Sequence, residues 1–410
     1  MTSVLVPPAP LPSAPPMRVA IVTESFLPQV NGVTNSVCRT VEHLAARGHE
    51  VVVLAPGPGP LSYAGRPVLR LPATPLPGYR SFRVGLPARR MVTAALRAFS
   101  PDVVHLASPA LLGWAAMEAA RRWALPTVAV FQTDLVGFAG RYGLPASERL
   151  WPLLRRVHAA ADLTLVPSSA TLSRLSELGF PRLALWPRGV DGERFSPRHR
   201  DEELRRRLAP GGEVLVGYVG RLSRDKRVGL LAEVARLRGA RLVVVGDGPE
   251  LSRLRRRIPG AVFLGQLSGE RLSRVFASID VFVHTGADET FCQSVQEALA
   301  SGVPVVAPAA GGPLDLVRDG RNGLLYAPDS VRELRVAAGR LIHNPGLRSR
   351  LADAARSGVV ARTWTVVNDR LLEHYRDVIS PAAAPVAPGS GARRVPPPRS
   401  GGRALVPSSR

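Results

Sequence analysis

Residues 281–307 read VFVHTGADETFCQSVQEALASGVPVVA. They open on an apolar run, Val281 to His284, pass through a polar loop and take up helical periodicity that stops at Gly302. A second β-branched run follows at Val303 to Ala307. Strand, loop, helix and strand in one short stretch make the βαβ unit of a parallel sheet. Thr290 with Gln293 three residues on is a capping-box pattern, which predicts a helix start near Phe291 and Cys292. Glu289 then precedes the cap, and Glu297 falls about two turns into the helix, roughly 10 Å further on.

The same rhythm runs through the chain in both directions. One series of runs is Arg18 to Thr23, Glu50 to Leu54, Val103 to Leu106, Thr127 to Phe131, Leu163 to Val166 and Leu183 to Trp186. Another is Val214 to Val219, Arg241 to Val245, Ala261 to Leu264, Val281 to His284, Val303 to Ala307 and Leu324 to Tyr326. Two such series predict an α/β protein of two Rossmann-like domains. The boundary is expected in the Gly- and Pro-punctuated stretch Pro187 to Pro197, which gives domains at 17–196 and 197–363. An apolar-periodic helix, Trp364 to Ile379, follows; residues 1–16 and 381–410 are Pro-, Ala-, Gly- and Ser-rich and are expected to be disordered tails, the second of them basic.

With 410 residues the chain is long enough for two or three domains and ample core. It has no apolar run of the ~20 residues that span a bilayer, and its start lacks the features of a secretory signal, so a cytoplasmic location is expected. Cys38 and Cys292 stand alone, without metal-ligand or disulfide spacing. The net charge of +22 is diffuse: residues 1–196 carry 20 basic and 11 acidic groups, 197–380 carry 29 and 21, and 381–410 carry five and none. Such a field favours anionic partners in general. Without an aromatic-and-basic recognition motif, nucleic acid is not the expected partner. Of the 54 basic residues only Lys226 is lysine.

Lys226 lies in Gly217-Tyr218-Val219-Gly220-Arg221-Leu222-Ser223-Arg224-Asp225-Lys226, just beyond a strand end. Arg221 can hold a diphosphate as a fork and Lys226 as a point charge. The helix start near Phe291 supplies N–H groups for phosphate, and Glu289 and Glu297 suit hydroxyl groups on either side. No Asp-x-Asp pair occurs, so no metal and no cofactor is expected in neutralising that charge. Gly246-Asp247-Gly248 follows a strand, but Leu251 stands where a dinucleotide fingerprint needs its third Gly.

These motifs, with Pro28-Gln29-Val30-Asn31-Gly32-Val33 and Gly246-Asp247-Gly248-Pro249-Glu250, make the chain resemble the retaining GT-B glycosyltransferases of family 4 from about Arg18 to Ile379. Phe131-Gln132-Thr133-Asp134-Leu135-Val136-Gly137-Phe138 and Glu289-Thr290-Phe291-Cys292 look most like bacterial GDP-mannose-dependent α-mannosyltransferases acting on lipid acceptors, with sulfoquinovosyl-diacylglycerol synthases next. The resemblance implies that Arg221 and Lys226 bind the donor diphosphate, that Glu289 faces the sugar, that Phe291 and Cys292 offer backbone N–H groups to phosphate, and that Glu297 holds the ribose. Gly32, Gly220 and Gly246 would permit close approach, and the base would lie near Leu264 and Gly265. On the acceptor side the candidates are Asn31, His105, Gln132 and Asp134, with Gln132 standing where the family commonly has His and Asp134 a further catalytic candidate. Trp364 to Ile379 would cross back to complete the first domain.

The implied activity is transfer of mannose from GDP-mannose to a membrane lipid. The alternatives are a UDP-glucose or UDP-sulfoquinovose transferase acting on diacylglycerol-type lipid, and a sugar-nucleotide-binding protein without turnover. A lipid acceptor calls for peripheral contact with an anionic membrane, on the inner face of the plasma membrane. Two stretches mix Arg with apolar residues as interfacial segments do: Tyr79 to Arg83 with Arg89-Arg90-Met91, and Arg149-Leu150-Trp151 through Leu153-Leu154-Arg155-Arg156.

Overall fold

The computed structural model describes residues 15–76, 79–86, 88–107, 109–133, 136 and 150–380. Residues 1–14, Asp134, Arg149 and the C-terminal segment 381–410 lie outside them. The first half builds β1 (Arg18–Thr23), β2 (Glu50–Pro56), β3 (Ser62–Tyr63), β4 (Arg66–Leu71), β5 (Ala73–Leu76), β6 (Tyr79–Gly85), β7 (Val103–Ala107), β8 (Thr127–Val130), β9 (Leu163–Val166) and β10 (Leu183–Leu185). The second builds β11 (Val214–Val219), β12 (Ala240–Val245), β13 (Val262–Gly265), β14 (Val281–Val283), β15 (Val305–Pro308) and β16 (Gly323–Tyr326). All twelve runs read from the sequence are strands, shifted by a residue or two at their ends.

They form two separate sheets, ordered β10-β9-β8-β7-β1-β2-β4-β3 and β13-β12-β11-β14-β15-β16. Apart from the antiparallel β3–β4 pair, every pairing in both is parallel. Helices on both faces bury the strands, which is why these runs are continuously apolar instead of alternating. The sequence reading missed the short β3 and β4 and the antiparallel hairpin β5–β6. They lie in a Pro- and Gly-rich stretch whose runs are interrupted by charge.

The helix Trp364–Ile379 returns from the end of the second half to the first sheet. Its Val367, Leu371, Leu372 and Tyr375 join the core formed by Val19, Ile21, Val103 and Val128. Trp186 Nε1 donates to the Val367 carbonyl at 3.0 Å, and Arg47 and His43 both meet Asp369. His105 is here too: it is 1% exposed, and its Nδ1 lies 2.8 Å from the Tyr375 hydroxyl. Its ring packs edge-on to Trp186 and Tyr375, and burial pulls its pKa down to about 3. The expected cleft role for His105 is therefore corrected: a neutral imidazole inside the core fastens the returning helix.

The second segment proposed for a membrane face also changes. On the helix Leu150–Ala159, the 3.6-residue period turns Trp151, Leu154 and Val157 inward, with Trp151 stacked on Phe131 and edge-on to Phe180. Leu153, Arg155 and Arg156 remain exposed, as do Arg89, Arg90 and Met91. No helix among the described residues is long and apolar enough to cross a membrane.

The Tyr375–His105 contact gives a direct test of the helix return. Tyr375→Phe leaves a buried ring nitrogen without its partner, which should cost about 1–3 kcal/mol. A thermal melt of the variant is expected to show a lower midpoint, whereas an unchanged midpoint would remove this contact from the account of how the helix is held.

Candidate active site

In the second sheet β11 and β14 are neighbours, and the chain leaves β11 in one direction and β14 in the other. An open parallel sheet leaves its ligand crevice at such a switch point, beyond the carboxyl ends of the strands. The loop after β11 carries Gly220, Arg221 and Lys226, and the loop after β14 carries His284, Glu289, Phe291 and Cys292. The two are joined by a short ion pair, Lys226 Nζ to Glu289 Oε1 at 2.6 Å. A second bond fixes the backbone beneath it: the Thr285 hydroxyl donates to the Lys226 carbonyl at 2.6 Å. His284 Nε2 lies 3.1 Å from the same Glu289 oxygen. Arg221 reaches Asp225 at 3.0 Å, and its carbonyl accepts from the buried Tyr218 hydroxyl.

Charge in this cluster is set by neighbours against burial. Burial opposes ionisation of Glu289, but Lys226 and His284 outweigh it and hold the carboxyl far below the usual range. Burial likewise disfavours charge on Lys226, yet Glu289 raises its pKa. For His284 burial is again overturned, by the Cys292 sulfur and the Glu289 carboxylate, and the imidazolium is favoured. Glu297 differs: burial raises its carboxyl to about 8, while Gln293, Arg194 and Arg39 pull the other way.

Two glycine pairs hold the loops close. A Cβ at Gly246, where φ is +134°, would lie 1.9 Å from the Gly220 carbonyl oxygen, and one at Gly248 would lie 2.4 Å from that of Leu222. The 246–248 turn thus supports the Arg221 loop, with Leu222 N donating to Asp247 O and Gly246 N to Gly265 O. Gly265 takes φ +70° at the end of β13, and Leu264 is half-buried against the core. Gly311 and Gly312, not singled out in the sequence, do the same for the other loop: a Cβ on Gly312 would fall 2.0 Å from the Phe291 carbonyl oxygen, and Gly312 N donates to Glu289 O.

The helix starts where the sequence predicts, beside Phe291 and Cys292, but it is not capped by Thr290. The helix runs Gln293–Ala300, and its N-cap is Cys292 at φ +78°, a left-handed conformation that favours glycine. Thr290 lies two residues before the cap, and its hydroxyl donates to the Gln132 carbonyl at 2.9 Å. Glu297 is consequently the fifth helical residue, a little over one turn in, not two. Phe291 is buried in the core, which leaves only its backbone for any ligand.

On the facing sheet, Gly32 opens the helix Gly32–Ala46. Asn31, an acceptor-side candidate, is committed to structure: its Oδ1 accepts from Thr34 N, and its Nδ2 donates to Ser25 Oγ. Glu24, at the end of β1, accepts from Ala110 N and Gly113 N. The residue that sequence reading missed is Arg188, in the linker between the sheets. It is 5% exposed and donates to the Gly32 carbonyl and to Gln132 Oε1, the latter at 2.7 Å. The linker backbone is gripped from the other side, by Gln296 Nε2 on Arg188 O and Gln293 Nε2 on Gly189 O. Further bonds cross between the halves: Ser169 N to Asp315 at 2.7 Å and Thr171 Oγ1 to Thr290 O. Arg221, Lys226, Glu289, Gly220 and Gly246 therefore converge, and Gly32 and Gln132 approach them through Arg188 and Thr290. His105 does not.

His284, Glu289 and Cys292 also form, among the described residues, a group whose ligand atoms lie within 4.8 Å of one another, which the sequence spacing had not shown. The Lys226 ammonium already occupies the shared Glu289 oxygen, and like charges at this separation repel strongly where solvent is scarce. The donor set therefore fits a divalent cation poorly.

Two parallel α/β sheets meeting through these loops define the GT-B class of glycosyltransferase. Residues 30–194 match Glycosyltransferase Family 4, and residues 199–358 match Glycosyl transferases group 1. A GDP-mannose-dependent alpha-mannosyltransferase of Mycobacterium tuberculosis is 50% identical over 370 residues, spanning 88% of this chain and 97% of its own. A sulfoquinovosyl transferase of Arabidopsis thaliana is 34% identical, over 87% of this chain and 72% of its own. The solved structure of Anabaena HepE in complex with UDP shares the fold with a TM-score of 0.73 at 21% identity, covering 87% of this chain and 99% of that one. The chain belongs to glycosyltransferase family 4.

The Glu297 environment predicts a pH effect. A carboxyl near its ordinary pKa when unfolded but raised to about 8 when folded keeps its proton in the native state while the unfolded chain releases it. Stability from this group is thus greatest at acid pH, falls as pH rises from about 4.5 to 8, and is flat above that. Thermal melts of Glu297→Gln and wild type are expected to diverge in favour of the variant across this window. A pH-independent difference would contradict the assignment.

Proposed function

We propose that this protein transfers mannose from GDP-mannose, with retained anomeric configuration, to a lipid acceptor at a membrane surface. The observation that carries the donor is near-full-length identity of 50% with a GDP-mannose-dependent alpha-mannosyltransferase, joined to the Lys226–Glu289 contact at the switch point. On binding, that pair is re-partitioned: Lys226 and Arg221 turn to the diphosphate, and the ionised Glu289 accepts from the sugar hydroxyls. Cys292 and Phe291 offer main-chain N–H groups to phosphate, and Glu297 accepts from the ribose. Gly32, Gly220 and Gly246 keep the backbone close to the ligand, and the base lies by Leu264 and Gly265. Gln132 serves the acceptor side, and Asp134 remains a catalytic candidate there from the sequence.

Catalysis is then positioning and charge stabilisation. As the glycosidic bond breaks, negative charge grows on the diphosphate oxygen, which Arg221 and Lys226 hold; the departing diphosphate takes the acceptor hydroxyl proton on the same face, so that configuration is kept. The lipid acceptor is supported by exposed Arg89, Arg90 and Met91 and by Leu153 beside Arg155 and Arg156 on the first half, a basic and apolar mixture suited to anionic headgroups. The reading is of a protein that sits peripherally on the inner face of the plasma membrane.

The test is a transfer assay with labelled GDP-mannose, UDP-glucose and UDP-sulfoquinovose against bacterial lipid extract, with and without EDTA. Mannolipid from GDP-mannose, insensitive to EDTA, is expected. Lys226→Ala should lower kcat/KM by about 100-fold or more, the usual effect of removing one donor to a developing charge. Label from a UDP-sugar would replace the donor with that of the sulfoquinovosyl relatives, and complete dependence on added Mg²⁺ would overturn the metal-free mechanism.

A further inference from the structure

Arg188 presents an imbalance that the donor-side cluster does not use. The residue is 5% exposed, and its guanidinium donates to two neutral carbonyl oxygens, Gly32 O and Gln132 Oε1. Among the described residues no carboxylate comes within ion-pair distance of it; Glu289 is felt only as a more distant charge, and Glu289 is already held by Lys226. A buried cation without a counter-charge is costly to keep, so the fold retains it against its own stability.

Gln132 supplies an independent observation. A guanidinium only donates, so its contact with Gln132 fixes the amide with Oε1 towards Arg188 and Nε2 away from it. That Nε2 is buried, in a residue 6% exposed, and has no acceptor among the described residues. Among the described residues, a fixed donor without an acceptor thus lies beside a cation without a carboxylate. Both stand at the opening of the helix Gly32–Ala46, whose positive end favours negative charge. A Cβ on Gly32 would lie 3.7 Å from two guanidinium nitrogens, so this glycine packs directly against the charged end of Arg188. The Gln132 carbonyl accepts from Thr290, next to Glu289, which puts the pair at the junction where the proposed reaction takes place.

We propose that Arg188 and Gln132 form an oxyanion subsite on the first half of the molecule, which takes an anionic oxygen of a bound substrate through the guanidinium and the Gln132 amide. The chemistry is that of a phosphate or carboxylate oxygen, and it has two possible sources: the diphosphate of the donor, or an anionic headgroup on the acceptor. In either case Arg188 is a binding residue on the opposite wall from Arg221 and Lys226, and the second half's grip on its backbone through Gln296 ties occupancy of the subsite to the join between the halves. The inference rests on the transferase reading, and nucleotide binding is measured so that the two stand or fall separately.

The experiment uses the full chain as wild type, Arg188→Gln, Arg188→Lys and Gln132→Leu. Calorimetry gives affinities for GDP, GMP, UDP and UMP, and initial rates give the acceptor KM and kcat. Loss of one charge-assisted contact should weaken its ligand about tenfold or more. If the donor supplies the oxygen, Arg188→Gln weakens GDP by that factor with little change for GMP, and Arg188→Lys recovers part of it. If the acceptor supplies it, GDP affinity is unchanged and the acceptor KM rises about tenfold with a smaller change in kcat. Gln132→Leu follows the same ligand in either case and serves if Arg188→Gln does not fold. Equal loss for GDP and GMP together with a lowered melting midpoint, or no change in any of these constants, would overturn the subsite. Binding of UDP and not GDP by the wild type would overturn the mannose donor alone, and the comparison would then be made between UDP and UMP.

Discussion

The ion pair between Lys226 and Glu289 is the interaction on which the rest of the site depends. It spans two loops that share nothing in sequence but leave neighbouring strands, β11 and β14, at the point where the sheet changes direction. Removing either partner would leave a charge in a poorly solvated place, so each loop is held where the other needs it. The glycines at 246, 248, 311 and 312 follow from this constraint. They let main chain pass within contact distance of the two loops, where any side chain would push the loops apart. The same pair is what makes the site ready for a ligand that carries both phosphate and hydroxyl groups, since it stores a cation for one and an ionised acceptor for the other.

The first half of the molecule answers this arrangement through the linker. Arg188 is gripped at its backbone by the helix that carries Glu297 and at its side chain by Gly32 and Gln132. Thr290, in the loop before that helix, bonds across to Gln132. The helix Trp364–Ile379 closes the circuit by fastening the end of the second half to the core of the first, with His105 and Tyr375 as its buried clasp.

The strands were legible because parallel sheets are buried on both faces and so write themselves as unbroken β-branched runs. The cations and carboxylates of the donor side were legible because each sits within a few residues of a strand end, and because Lys226 stands out in a chain that otherwise uses Arg. What escaped was whatever depends on long-range partners. Arg188 is one of 53 arginines, and nothing local distinguishes it; only its burial and its lack of a carboxylate do so. His284 is an ordinary strand-end residue until the loop folds back to bring Glu289 within 3.1 Å. Thr290 misled because the capping-box rule weighs only neighbours in sequence, and its actual acceptor lies 158 residues away. The glycine pair at 311–312 could have been noticed as a doublet just past a strand, although its purpose is visible only against the Phe291 backbone.

The contrast between surface and interior charge decides what kind of ligand this protein is built for. Most of the basic excess is exposed, and much of it is paired in contacts such as Arg198–Glu193, Arg200–Glu202 and Arg18–Glu50, which contribute little and are screened by salt. A field of that kind draws anions towards the molecule without selecting among them. In the proposed reaction selection falls to Lys226, Arg221 and Arg188, which are held by Glu289, by Asp225 and by Gly32 with Gln132. In that reaction the linker that carries Arg188, held by Gln296 on one side and by Gly32 and Gln132 on the other, is where anion binding meets the join between the halves.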